Sequence, residues 1–264
     1  MGGATGEDRT VVAAFYPLAF AAERVGGDEV RVRNLTPPGV EPHDFELSAR
    51  DVRTVADADL VLYLGQGFQP ALEDSLDATD APAVDLLEGL DLLEGEDGSR
   101  DPHVWLDPVR YAAIAERIGA ELDRTAATRD LTDELAALDS AFRDGLADCK
   151  RRELVTSHAA FGYLADRYEL EQVAISGLSP EAEPTPRELE RVVEEVRKRG
   201  ATTIFFETLV SPRLAQTVAR EVDTETAVLN PLEGLSAEEL ESGEDYFSVM
   251  RANLAALREA LECR

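Results

Sequence analysis

Short apolar or alternating runs recur along this chain, each giving way to a stretch with helix signals, and that rhythm restricts the fold more than any other feature. The runs are Thr10–Phe15, Val30–Leu35, Asp59–Leu64 and Ala83–Leu87 in the first half. In the second half they are Glu153–His158, Gln172–Ile175, Thr202–Phe206 and Glu225–Leu229. Runs this short suit strands rather than helices. Strands that alternate with helices imply parallel sheets, so the expected class is α/β. Helix starts are marked by Ser48 with Asp51, by Asp107-Pro108, by Thr185-Pro186 with Glu188, and by Ser211-Pro212. In each, a side-chain oxygen can cap the first turn, and proline fits where no amide hydrogen is needed. Apolar residues spaced by three and four predict one helix from Val109 to about Leu122. They predict a second, stiff one from about Asp130 to Cys149, with a break at Thr125–Thr128. A last helix is expected from about Tyr246 to Leu261.

The chain carries 54 acidic and 26 basic residues, a net charge of -28, which disfavours nucleic acid as a partner because little is available to neutralise phosphates. Lys150 and Lys198 are its only lysines. Self-repulsion on this scale calls for screening counterions, so a high-salt setting is expected; the alternative is an acidic surface kept for solubility. No apolar run reaches the roughly 18 residues that a membrane span requires. Met1–Gly6 is expected to be a flexible leader of a mature domain, with the export signal absent from this chain. Cys149 and Cys263 either pair, closing a long loop, or remain buried thiols.

Histidine occurs at only three positions, His43, His103 and His158, each where a strand or loop gives way to a helix. Ligands collect beyond the carboxyl ends of strands in open α/β sheets, and imidazole is the commonest metal ligand near neutral pH. Glu233 occupies another strand-end loop. Three imidazoles and one carboxylate suit tetrahedral zinc, and manganese, which prefers oxygen, is less favoured. Glu207 either accepts a hydrogen bond from a ligand imidazole or pairs with Arg213. Asp101 and Asp107 are further candidates for supporting carboxylates, although capping already accounts for Asp107. Trp105 is read as packing at the lobe surface, shielding the ion only secondarily. Ser157 at a strand-to-helix turn invites a hydrolase reading, but no Gly-x-Ser-x-Gly elbow surrounds it.

The segments Pro42-His43-Asp44-Phe45-Glu46, Asp101-Pro102-His103-Val104-Trp105-Leu106-Asp107-Pro108, Thr156-Ser157-His158-Ala159-Ala160-Phe161 and Asn230-Pro231-Leu232-Glu233-Gly234-Leu235 resemble, in that order, motifs of a known family. It is the ZnuA-type group of zinc- and manganese-binding solute-binding proteins of ABC importers. The resemblance implies two α/β lobes, each with a mainly parallel sheet flanked by helices, joined by a long rigid helix. On that pattern residues 8–127 form the N-terminal lobe, 128–150 the linking helix and 151–264 the C-terminal lobe. It implies His43, His103, His158 and Glu233 as metal ligands, with histidine at position 158 being the zinc-type choice. It also implies a carrier that delivers Zn2+ to an ABC permease; the chain is expected to be extracytoplasmic and tethered to the outer face of the cell membrane, and a monomer is the simplest reading for a carrier that docks on a membrane partner. The histidine-rich acidic loop of many zinc binders has no counterpart, since Glu88–Arg100 is acidic but holds no histidine. Against the non-catalytic carrier stand a zinc hydrolase using the same histidines, a manganese-binding member of the group, and an adhesion or scaffold protein.

Overall fold

The computed structural model describes residues 9–95, 98–180 and 184–264. The expected leader Met1–Gly6 and two residues of the acidic loop lie outside them. The first half contains β1 (Arg9–Ala13), α1 (Tyr16–Gly26), β2 (Val30–Asn34), α2 (Ala49–Ala56), β3 (Leu60–Tyr63), α3 (Pro70–Asp77), β4 (Ala83–Asp85), α4 (Pro108–Leu122) and α5 (Thr125–Leu146). The second contains β5 (Glu153–Thr156), α6 (Gly162–Arg167), β6 (Glu171–Ala174), α7 (Pro186–Arg199), β7 (Thr203–Phe206), α8 (Arg213–Val222), β8 (Glu225–Val228), α9 (Ala237–Glu241) and α10 (Tyr246–Ala260).

Two four-stranded sheets result, ordered β2-β1-β3-β4 and β6-β5-β7-β8, and the pairings within them are parallel. Central strands covered on both faces read as unbroken apolar runs, as Leu60–Leu62 does, whereas edge β2 alternates. In each sheet the chain leaves the first strand toward one side and returns on the other. A crevice therefore opens between the carboxyl ends of β1 and β3, and another between those of β5 and β7, where such folds place their ligands.

Three of the four expected helix starts hold. Ser48 with Asp51 and Thr185 with Glu188 form capping boxes, and Asp107 accepts the Val109 amide at 2.9 Å. The expected break at Thr125–Thr128 is displaced. The chain turns instead at Asp123, in the left-handed region at φ 56°, and α5 already includes Thr125 and ends at Leu146. Thr128 belongs to the helix because it packs on Gly119 of α4, where an added Cβ would come within 1.9 Å of its Oγ1. A Gly119→Ala change is therefore expected to cost about 1–3 kcal/mol through overpacking, measurable by denaturant unfolding. At α8, Pro212 occupies the cap and the helix starts one residue later than the proline suggests.

The α5 helix is more embedded than a bare strut. Leu131, Leu135, Leu138, Phe142 and Leu146 face one continuous apolar core that includes Ile114 and Ile118 of α4, Leu154 and Tyr163 from the second half, and Tyr246 of α10. A smaller core lies between the second sheet and α7 and α8, around Val193, Val196, Ile204 and Val218. Cys149 and Cys263, left open by the sequence, are bonded as a disulfide that ties the end of α5 to the end of α10 across 114 residues.

Candidate metal centre

The loop after β4 delivers His103. Its ring is fully buried, and Asp101 Oδ1 accepts from both the His103 amide (2.9 Å) and Nδ1 (2.8 Å). A carboxylate only accepts, so the hydrogen sits on Nδ1 and Nε2 faces the cleft. The second half clamps this loop. Tyr163 donates its hydroxyl to the Asp101 carbonyl (2.7 Å) and accepts from the Leu93 amide (2.9 Å). Arg167 makes a forked pair with Asp107 at 2.8 and 2.7 Å. Gly162 must lack a side chain here, because a Cβ would lie 2.8 Å from Asp101 Oδ2. Trp105 does not pack at a lobe surface as the sequence suggests. It is fully buried, its Nε1 donates to the Pro231 carbonyl (2.8 Å), and its own carbonyl accepts the Tyr246 hydroxyl (2.7 Å). The indole thus bonds the His103 loop to the loop that carries Glu233.

His158 follows β5 at the crevice of the second sheet. Its carbonyl is held by Thr156 Oγ1 (2.7 Å) and Gln172 Nε2 (3.2 Å), and its Nδ1 donates to Glu207 Oε1 at 2.6 Å. Of the two readings for Glu207, the imidazole partner is the one observed; no ion pair joins it to Arg213 among the described residues. Glu233 sits one residue after Leu232, which holds a left-handed backbone at φ 57°. Such a conformation costs a non-glycine residue about 1 kcal/mol or more. Asn230 Oδ1 offsets this by accepting the Leu232 amide (2.8 Å), while Asn253 grips Asn230 through its backbone amide (2.9 Å) and carbonyl (2.7 Å). His43 lies in the loop after β2, whose path is set by Glu41 Oε1 accepting the His43 amide (3.0 Å) and by the Gly39 amide donating to the Leu235 carbonyl (2.9 Å).

The four side chains meet at one point, their potential donor atoms all within 4.8 Å of one another. Glu233 Oε1 lies 3.2 Å from His43 Nε2, 3.1 Å from His103 Nε2 and 3.3 Å from His158 Nε2. Neutral His103 and His158 both turn lone pairs toward that oxygen, a repulsive contact in a buried site unless protons or a cation stand between. Among the described residues His158 Nε2 and Glu233 Oε2 are buried without a hydrogen-bond partner. Three imidazole nitrogens and a carboxylate oxygen with lone pairs to spare fit a divalent zinc ion.

Without a cation, protons take its place. Burial lowers the His158 pKa, but the Glu207 and Glu233 carboxylates outweigh it and hold the ring at about 10. Burial likewise opposes a charge on His103, and the hydrogen bonds to Asp101 and Glu233 overcome it, so its pKa is raised. At His43 burial wins and the pKa falls. Burial would raise Glu233, yet His158 and the bonds from the other rings hold it well below the carboxylate range. A histidine raised from 6.5 to about 10 on folding contributes stability fully present below pH 6.5 and lost as pH climbs through 10. Glu41, pushed up to about 7 by burial and by Glu233, destabilises in the same direction above pH 4.5. Chelator-treated protein should therefore melt at progressively lower temperature from pH 6.5 to 10; a flat or rising profile contradicts this assignment of protons.

Sequence reasoning missed several residues here. Phe68 sets its ring edge on His43 at 4.6 Å and packs on Trp105 and Phe15, walling the histidines from solvent. Glu41, Tyr163, Arg167 and Asn253 were also missed. Only Glu41, two residues before His43, carried a local signal.

A sequence profile of the family described as "Zinc-uptake complex component A periplasmic" matches residues 11–260. The chain belongs to this ZnuA family. Among similar proteins, the zinc-binding lipoprotein AdcA of Streptococcus pneumoniae is 38% identical over 96% of this chain and 56% of its own length. The high-affinity zinc uptake system protein ZnuA of Bacillus subtilis is 33% identical over 97% of this chain and 88% of its own. The chain thus spans about half the length of the AdcA relatives. In three dimensions it resembles the Zn(II)-bound ZnuA-like domain of Streptococcus pneumoniae AdcA, with a TM-score of 0.83, 38% identity, and coverage of 97% of this chain and 100% of that one. The laminin-binding protein Lmb of Streptococcus agalactiae, described as bifunctional with adhesin and metal-transporting activity, gives a TM-score of 0.87 at 30% identity, covering 97% and 100%. The expected two-lobed α/β architecture is the ZnuA-type fold.

Proposed function

We propose that this chain captures Zn2+ outside the cytoplasm and hands it to an ABC permease, binding one ion through His43, His103 and His158 Nε2 and the Glu233 carboxylate. The convergence of three Nε2 atoms on Glu233 Oε1 carries this reading. Residues 8–127 and 151–264 are the lobes it assigns, with the helix between them as their link. Four protein donors complete a tetrahedral shell and leave no position for an activated water, which a zinc hydrolase requires. Nitrogen-rich donors favour zinc over manganese.

Zinc titration of the metal-stripped protein tests the proposal, with one tightly held ion per chain and no ester or peptide turnover as the expected result. Zinc-dependent turnover contradicts it. No helix among the described residues is long and apolar enough to cross a membrane. Tethering through a lipid, as the lipoprotein AdcA relative's description suggests, supplies the attachment, and a monomer suffices for docking on a permease. The net charge of -28 further suits a high-salt exterior. The melting temperature is expected to rise steeply from roughly millimolar to molar salt as repulsion is screened; an unchanged value removes the halophilic reading.

A further inference from the structure

We infer that Glu207 is a positioning residue that sets the zinc-over-manganese preference of the centre, by holding the His158 ring in one tautomer and one orientation; this rests on the metal-binding role proposed above. Glu207 follows β7, alongside the end of β5, where the Ser157 amide donates to the Phe205 carbonyl at 3.0 Å. Its Oε1 accepts from His158 Nδ1 at 2.6 Å and also from Ser157 Oγ. The Ser157 carbonyl in turn accepts Ser176 Oγ (2.8 Å) from beyond β6, so the clamp is anchored on three adjacent strand ends.

The fold itself has little use for this carboxylate. Asp101, the equivalent partner of His103, also shapes its own turn by accepting the His103 amide. Among the described residues Glu207 bonds no backbone group, is 3% exposed, and leaves Oε2 buried without a partner. Burying a carboxylate with half its accepting capacity unused is unfavourable, and the contacts it does make both serve the position of one imidazole.

Orientation matters for metal choice. Zinc takes four ligands at about 2.0–2.1 Å from nitrogen, whereas manganese favours oxygen ligands and octahedral surroundings. A ring locked from behind keeps Nε2 at the short tetrahedral position and cannot swing aside to admit water. Released, it loses the zinc geometry while yielding space for a larger, wetter shell.

Zinc and manganese affinities of the wild-type chain, Glu207→Gln and Glu207→Ala, measured by competition titration with melting temperatures of the metal-stripped forms, test this. Glu207→Gln preserves shape and removes the charge, so it remains informative if the alanine variant does not fold. Zinc affinity should drop about 10–100-fold, the usual effect of losing an outer carboxylate, while manganese affinity changes less than about threefold, so that the zinc-to-manganese ratio falls tenfold or more. Equal weakening for both metals, as a merely structural role predicts, overturns the inference. So does unchanged zinc affinity in a wild-type-like background. A wild-type chain that binds no zinc refutes the proposed function instead, which separates the two failures.

Discussion

Replacing His103 by alanine should cost more zinc affinity than the roughly 100-fold associated with losing an outer carboxylate, because on the proposed function it removes a direct ligand and its supported geometry together. The ring is fully buried, contacts Trp105 at 5.2 Å between centroids, and lies 3.1 Å from Glu233 Oε1. Its loss leaves two nitrogens and one oxygen, a set that water must complete. The metal-stripped variant should still fold, since the Asp101 turn, the Trp105–Pro231 bond and the Tyr163 bond to the Asp101 carbonyl do not depend on the imidazole. The comparison to make is zinc affinity against the melting temperature of the stripped protein. A variant that melts like the parent and yet binds zinc like the parent excludes His103 as a ligand.

Breaking the Cys149–Cys263 bond, by reduction or by a double serine substitution, should produce the largest change in stability. The bridge spans 114 residues, and in the chain-entropy account a loop of that length is worth about 4–5 kcal/mol. For a chain of this size that corresponds to a fall in melting temperature on the order of 10 °C or more. The bond fastens the end of α10, the helix whose Tyr246 and Asn253 hold the Trp105 and Asn230 loops. Tyr246 lies at the far end of that helix from Cys263 and Asn253 at its middle, and neither contact involves the cystine, so zinc affinity should change less than about threefold at temperatures where the protein remains folded. A melting temperature within about 2 °C of the parent's contradicts the assigned contribution.

Much of this architecture was legible because its signals are local. Central strands covered on both faces read as apolar runs and edge strands as alternating or mixed ones, and the eight runs read this way coincide with the eight strands observed among the described residues. Capping boxes need only residues three apart, so Ser48 and Thr185 announced their helices. By the same rule Ser236 with Glu239 marks the start of α9. The turn between α4 and α5 was misplaced because Thr128 is decided by its close approach to Gly119 across the helix pair, not by its neighbours in sequence.

The centre divides in the same way. His43, His103, His158 and Glu233 stand in strand-end loops and could be nominated one by one, each from its own segment. What fixes them is long-range: Arg167 on Asp107, Tyr163 on Asp101, Trp105 on Pro231 and Asn253 on Asn230, none of which has a spacing that sequence can reveal. Trp105 was misread for that reason, since nothing nearby in the chain shows that its indole nitrogen has a buried carbonyl to meet.

Anomalous diffraction at the zinc edge from crystals of the zinc-loaded protein tests the account most directly. The account predicts one peak per chain, with the Nε2 atoms of His43, His103 and His158 and an oxygen of Glu233 each about 2.0–2.2 Å away. A zinc peak elsewhere, or one that any of these four residues does not reach, contradicts it.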